Sequence, residues 1–300
     1  MSSSIEEGTT KKGRVLNAVR NSSDQDTQAI APGADLSGVD LNAAKLSGAH
    51  FQDTDFRNAE MTGCVLRGAD LRRADFTGAD LRGAQLQGAD LRGAVLRDAR
   101  IQASFFQGAN LSGADFTGAQ MSESVLHRAV AHRAVFSEAD LSGSLMGDIE
   151  CENAVLTRAV LHRSDLSGAI LRGADLSSAD LSNTDLEAAV LDDANLTGAD
   201  LLGADLSGTD LRNTVLDDVR WKGLVFKELD LVLAPSIEDE WWVHTGTLSL
   251  TVKGLERALN DLGGAPEIQG VSVDHLGIVL EVVKAHISHI ESRRASSGDE

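Results

Sequence analysis

The chain has 300 residues, with 46 acidic against 27 basic side chains, and its formal net charge is −19 at pH 7. This negative charge argues against a protein that wraps nucleic acid through its phosphates, and an aromatic content of 4% without tyrosine excludes a base-stacking platform. Two cysteines, no apolar run of membrane-spanning length and no apolar segment near Met1 lead us to expect a cytoplasmic protein.

Residues 1–33 are rich in Ser, Gly, Asp and Gln and carry balanced charge, which predicts a flexible N-terminal tail.

A five-residue repeat follows this tail. From Leu36 to Phe226 an apolar residue recurs at every fifth position, 39 times in one register, and the unit reads Ala-Asp-Leu-Xaa-Gly, as at residues 79–83. A period of five fits neither a helix nor a strand. It predicts a chain that turns a corner once per unit, with Leu and Ala inward and Asp outward. One unit cannot bury its leucine alone, so the units must stack as a solenoid.

This pattern resembles the pentapeptide-repeat family, whose consensus is A(D/N)LXX. The resemblance implies an all-β solenoid, a right-handed quadrilateral β-helix with four units per 20-residue coil, over residues 34–233. About ten coils stacked at strand spacing would form a rod roughly 45 Å long. Four phenylalanines spaced by multiples of 20 would then stack in one inner column, namely Phe56, Phe76, Phe116 and Phe136. The cysteines, Cys64 and Cys151, would be buried too far apart for a disulfide.

In the middle of the repeats, outward valines replace aspartates beside His and Arg side chains. These residues form either a second binding patch or ordinary strand surface whose valines are covered by arginine stems. We name them the Val/Arg/His belt: His127, Arg128, Val130, His132, Arg133, Arg158, Val160, His162 and Arg163.

Negative charge is concentrated in the last repeats. Residues 165–218 contain twelve acids and two arginines, whereas residues 35–133 contain twelve acids and eleven basic residues. Either these acids form a binding face, or they are the consensus residue and serve solubility. The candidate acidic face consists of Asp165, Asp175, Asp180, Asp185, Asp200, Asp205 and Asp210.

Residues 237–300 are predicted to form a small α+β module that caps the rod or joins two chains. Alternating residues at 247–252 and 270–273 favour strands, and residues 254–262 and 274–292 have helical patterns.

No spacing in the sequence is typical of a nucleophile, a phosphate loop or a metal site, so we predict no catalytic residue, no metal, no cofactor and no enzyme activity. Family members that protect type II topoisomerases from fluoroquinolones are acidic, rod-shaped dimers. The resemblance therefore implies a DNA mimic that binds DNA gyrase, a homodimer through the C-terminal module, without direct contact to nucleic acid or membrane. The alternative is a scaffold or adaptor that docks a protein partner through the Val/Arg/His belt and the C-terminal module.

Overall fold

The computed structural model describes residues 32–206, 209–211, 214–216, 218–220, 224–226, 231–235, 241–245, 249–254, 257, 267–268, 271–272, 280 and 284. Of the predicted tail, only Pro32 and Gly33 are among the described residues. Trp221, an inward position of the five-residue repeat, lies outside them. Most of the helices predicted at 254–262 and 274–292 also lie outside the described residues.

The repeats form coils of 20 residues. Parallel bridges join each outward residue to the residue 20 positions later, from the pair Asp35–Asp55 to the pair Asp200–Arg220. From residue 35 to residue 203 a two-residue turn lies between successive bridges, so each side of a coil contributes a single bridge rather than an extended strand. Four turns per 20 residues give the quadrilateral coil that the resemblance implied. Its right-handedness stays a prediction.

Backbone hydrogen bonds join successive coils on both sides of each outward residue. The Asp80 N–H donates to the Ala59 carbonyl at 2.9 Å, and the Leu81 N–H donates to the Arg100 carbonyl at 2.7 Å. Every coil between the first and the last is thereby bonded to the coil before it and the coil after it, which satisfies backbone polar groups that the core would otherwise leave unpaired.

The core is a single column of buried Leu, Phe, Met, Ile and Ala side chains inside the coils. The predicted phenylalanine column is confirmed as two stacked pairs. Phe56 and Phe76 have ring centroids 4.8 Å apart, Phe116 and Phe136 have theirs 4.9 Å apart, and Leu96 occupies the position between the pairs. The centroid distances match the spacing of neighbouring strands, since each ring lies one coil above the previous one.

A buried ladder of hydroxyl groups replaces the inward alanine in five successive coils. Ser104 and Ser124 donate to the carbonyls of Leu81 and Ile101 at 2.7 and 2.8 Å. The hydroxyl of Ser124 also accepts the Ser104 N–H at 3.2 Å. The complete ladder is Ser104, Ser124, Ser144, Ser164 and Thr184.

Cys64 and Cys151 are free and buried, as predicted. Burial raises the pKa of both thiols to about 12, so neither forms the reactive thiolate at neutral pH.

Beyond the coils the described residues form six strands: β1 Leu224–Phe226, β2 Leu231–Pro235, β3 Trp241–Thr245, β4 Ser249–Thr251, β5 Glu267–Ile268 and β6 Val271–Ser272. Strands β1 to β4 form one antiparallel sheet in chain order, and β5 pairs with β6. The parallel bridges end at Arg220, so β1 and the first half of β2, which the predicted repeat region includes, pair with each other instead. The predicted division at 34–233 and 237–300 stays a prediction.

Candidate protein-interaction surfaces

The outward residues of the coils lie in four columns, one on each side of the rod, because the chain returns to the same side after 20 residues. We name these sides faces A to D by their first outward residues, which are Asp35, Asp40, Lys45 and His50. Faces A and C are opposite each other, as are faces B and D.

The outward aspartates also have a structural role at the corners of the coils. One carboxylate oxygen of Asp165 accepts the backbone N–H of Ser167 at 2.9 Å, and the same contact recurs along the rod. Where asparagine replaces aspartate, its side-chain oxygen does the same, as Asn195 does for the Thr197 N–H at 3.0 Å. The sequence pattern placed the aspartates outward but did not reveal this hydrogen bond. Since Asp and Asn both make it, this hydrogen bond requires a side-chain oxygen and not a charge.

The structure distributes the candidate acidic face over all four sides of the rod. Face C carries one row of three residues, and face B carries one row of two. Asp175 lies on face A and Asp210 on face D, and all seven side chains are partly exposed. The rows are those expected from the 20-residue period: Asp165, Asp185 and Asp205 on face C, and Asp180 and Asp200 on face B.

Ion pairing differs along the rod. Near its N-terminal end, the side chain of Asp80 is 9% exposed and lies 2.7 Å from Arg82 and 2.6 Å from Arg100. Hydrogen bonds from Arg72 hold the pKa of Asp70 at about 2, well below its ordinary value of 3.8. At neutral pH these carboxylates are therefore charged, and the neighbouring arginines neutralise their charge.

Four members of the candidate acidic face make no ion pair with any described residue: Asp165, Asp175, Asp180 and Asp185. Asp200 differs, because Arg220 lies 3.0 Å from its carboxylate. Arg220 falls just beyond the stretch in which the sequence concentrates acids, so a count along the chain overlooks this compensation. Asp205 and Asp210 also have interaction partners.

The Val/Arg/His belt does not lie on one side of the rod. His127 belongs to face C and Val130 to face D, whereas Val160 belongs to face B on the opposite side. Several of its basic groups are paired within the rod: Arg128 lies 3.4 Å from Asp148, and His132 lies 3.2 Å from Glu150.

The face D part of the belt borders a shallow depression of roughly 490 Å³. It is lined by Ser112, Gly113, His132, Arg133, Glu152 and Asn153. The far part of the belt, from Arg158 to Arg163, lies elsewhere on the surface. The histidine there, His162, contacts the Ser182 hydroxyl at 2.9 Å.

Sequence reasoning missed an apolar column on face C. Phe105 and Leu145 are among the most exposed large apolar side chains of the described residues, at 37% and 43%. Val65 and Val125 belong to the same column, and Gln85 is its polar member. Reading the outward positions at intervals of 20 instead of five would have revealed it.

Among the described residues, no cluster of three or more His, Cys, Asp or Glu side chains is arranged to hold a metal ion. In the same part of the chain, no helix has the length and apolar character needed to cross a membrane.

The sequence matches the family described as pentapeptide repeats in eight copies, and the matched segments lie between residues 27 and 213. The segments are 27–58, 34–73, 59–98, 94–130, 106–143, 134–173 and 174–213. No curated protein matches the chain.

Solved structures of pentapeptide repeat proteins are similar to this chain. HetL, from the cyanobacterium Nostoc sp. and involved in heterocyst differentiation regulation, is 29% identical with a TM-score of 0.44, over 69% of this chain and 93% of HetL. A trypsin-treated variant of QnrB1, a plasmid-mediated fluoroquinolone resistance protein, is 20% identical with a TM-score of 0.42, over 63% and 90% of the two chains. A pentapeptide repeat protein of the Arabidopsis thaliana thylakoid lumen is 30% identical with a TM-score of 0.29, and the match covers 37% of this chain and 71% of the Arabidopsis protein.

Proposed function

The chain belongs to the pentapeptide repeat family, and from that premise we propose that it is a non-enzymatic DNA mimic that binds a type II topoisomerase, DNA gyrase. The aspartates of the last coils, whose rows lie on the neighbouring faces B and C, occupy the basic channel that otherwise holds DNA, and the protein modulates the enzyme or protects it from a fluoroquinolone. The protein acts in the cytoplasm, where gyrase and chromosomal DNA meet.

The observation that carries this proposal is the ordered row of carboxylates on face C, one coil apart, beside the shorter row on face B. Residues 165–220 contain twelve acids and three arginines over less than three coils. At strand spacing this is about 0.7 net charges per Å, close to the roughly 0.6 phosphate charges per Å of duplex DNA.

The acidic stretch of one chain is short for a gyrase site. Its length of roughly 13 Å equals about four base pairs. A homodimer joined through residues 237–300 would double the charged length and present one continuous negative rod.

The test is a gyrase supercoiling assay with the purified protein at low and high salt. Wild-type protein is expected to inhibit supercoiling or to protect the enzyme from a fluoroquinolone, and to lose potency with salt because screened charges attract less.

Two matched variants test whether the position of the charge matters. The variant D175N/D180N/D185N removes three charges of the acidic face but keeps each corner hydrogen bond, and we expect about a tenfold loss of potency. The control D40N/D75N/D140N removes three charges from earlier coils, where the same corner bonds exist, and is expected to keep wild-type potency. An inactive wild-type protein contradicts gyrase binding, and equal potency of the two variants contradicts the acidic face.

The depression on face D favours a second candidate function, that of an adaptor which docks a protein through the Val/Arg/His belt. In the same assay, V130D, which changes the face D part of the belt, would then abolish the effect on gyrase, while D175N/D180N/D185N would leave it intact. The adaptor interface would also tolerate salt better, since it does not depend on the rows of carboxylates.

A further inference from the structure

Face C differs in character from the rest of this acidic chain. In seven successive coils its residues lie at 44–48, 64–68, 84–88, 104–108, 124–128, 144–148 and 164–168. Two later coils of the same face, at 184–188 and 204–208, contain Asp185, Glu187 and Asp205. In the seven coils up to residue 168 the charged residues are Lys45, Arg67, Arg128, Asp148 and Asp165, so this part of the face has a net charge of +1 when histidine is neutral. A second copy of the chain is therefore not repelled by this part of face C, although the net charge of the whole chain is −19.

Over the seven coils from Lys45 to Asp165, the outward column of face C has opposite charges at its two ends, and Asp185 and Asp205 continue it beyond Asp165. It begins with Lys45, continues with the apolar stretch from Val65 to Leu145, and reaches Asp165. Phe105 lies at the centre, three coils from Lys45 and three coils from Asp165. Among the described residues neither of the two end residues makes an ion pair.

This order is self-complementary under a two-fold rotation through Phe105. The rotation places Lys45 opposite Asp165 of the second copy, Val65 opposite its Leu145, and Phe105 opposite itself. A parallel arrangement would instead place Lys45 against Lys45 and Asp165 against Asp165, which like-charge repulsion disfavours.

We propose that two copies of this chain associate side by side and antiparallel through face C. The occupant of the exposed apolar column is thus a second copy, because its reversed face supplies an acid, an apolar stretch and a base at the required spacing. This contact goes beyond the proposed function and is separate from a dimer through residues 237–300.

The size of the face sets the expected strength of the contact. Six coil steps by five residues measure roughly 29 Å by 16 Å, or about 460 Å² per partner, which places the contact among the weaker, transient interfaces. Self-association is therefore to be followed by sedimentation equilibrium of the full chain up to about 200 µM.

Charge exchange tests the pairing of the two ends. K45D and D165K are each expected to weaken self-association by about tenfold, because each turns two attractive pairs per dimer into two repulsive ones. The double variant K45D/D165K restores both pairs and is expected to recover wild-type association. The control D175K removes the same kind of corner hydrogen bond on the opposite face and is expected to associate like wild type.

Cross-linking tests the position of the two-fold axis. Facing sheets pack about 10 Å apart, too far for a direct disulfide, so the probe is a short bifunctional maleimide. F105C is expected to yield a covalent dimer and V95C, on the opposite face, is expected to yield none. The native cysteines do not interfere, since both are buried.

A chain that is monomeric at all concentrations overturns the proposal. So does a dimer that is insensitive to K45D and D165K, a double variant that fails to recover, or equal cross-linking at positions 105 and 95. A dimer through residues 237–300 alone would give the insensitive result.

Discussion

At many corners of the coil, an Asp or Asn side chain before the inward leucine contributes an oxygen to the turn. Asp180 and Asn195 accept the N–H two residues further on at the same distance, 3.0 Å, although one side chain is charged and the other is neutral. The frequency of aspartate in the repeats is therefore explained in part by the turn, and a substitution of Asp by Asn separates the charge from the structural role.

The last residue of each turn has a positive φ, which predicts opposite effects of exchanging glycine and alanine. Gly83 has φ +66° with open space where an added methyl group would lie, and Ala103, one coil later on the same corner, has φ +54°. Gly83→Ala is expected to lower the free energy of unfolding by about 1 kcal/mol, and Ala103→Gly to raise it by a few tenths to about 1 kcal/mol. Urea unfolding followed by circular dichroism measures both changes in the free energy of unfolding. If the two changes had the same sign, backbone strain at positive φ would not explain them.

The paired carboxylates predict how the early coils respond to acid. Because the pKa of Asp70 is about 2 in the folded chain and 3.8 ordinarily, its ion pair stabilises the fold above pH 3.8 and is lost as the pH falls towards 2. Asp70→Asn keeps the corner oxygen but not the pair. It is expected to lower stability at pH 6 by no more than about 1 kcal/mol, given the exposure of the pair.

The measurement is the urea midpoint at several pH values from 6 to about 2. The difference between wild type and D70N is expected to shrink below pH 4. A difference that stays constant over this range would show that Asp70 does not act through its charge.

The coil is the structural element of this protein, since each one bonds to its two neighbours. The hydroxyl ladder shows how the identity of an inward residue in one coil affects the next. Ser124 satisfies the backbone N–H of Ser104 in the preceding coil, while Ser144 donates only to the Leu141 carbonyl within its own turn.

This difference predicts unequal effects of two chemically identical substitutions. Ser124→Ala leaves the buried Ser104 N–H without its partner and is expected to cost about 1–3 kcal/mol of unfolding free energy. Ser144→Ala restores the consensus residue and is expected to cost less than about 1 kcal/mol. Chemical denaturation of the two variants side by side decides the matter, and equal losses would rule out the inter-coil bond as the cause.

The five-residue period was enough to predict the inward and outward residues and the buried cysteines. The stacking of Phe56 on Phe76 also required the 20-residue coil that the family resemblance implies. It did not predict the hydroxyl ladder, because Ser and Thr replace Ala without interrupting the period. The end of the parallel bridges at Arg220 was missed too, since Phe226 keeps the register while it pairs antiparallel in β1. The apolar column of face C was missed because its members are 20 residues apart and appear isolated along the chain.

At the scale of the whole molecule, charge is compensated at one end of the rod and concentrated at the other. Early carboxylates such as Asp80 contact arginines, whereas Asp165 and Asp185 lie about 5 Å apart in neighbouring coils without a described basic partner. The last coils therefore carry a repulsive energy that the first coils do not.

Added salt is expected to act oppositely on the two ends. Raising NaCl from about 0.05 M to about 1 M shortens the screening length below the distance between the acidic rows, so the coils after residue 165 should become more protected. The ion-paired coils before residue 100 should gain nothing or lose slightly. Hydrogen exchange with mass spectrometry resolves both regions, and uniform protection changes would contradict the asymmetry.

The four-sided coil has a consequence for insertions and deletions. Loss of 20 residues shortens the rod and leaves every remaining side chain facing as before. Loss of five residues preserves the local motif just as well, yet it turns everything downstream by a quarter of a revolution. A single such deletion between Leu145 and Asp165 would move the later aspartates to a neighbouring side, away from the apolar column. The amino acids of the aspartate rows and of the apolar column would all be unchanged. Two sequences that look equally regular to a motif search can therefore present different surfaces.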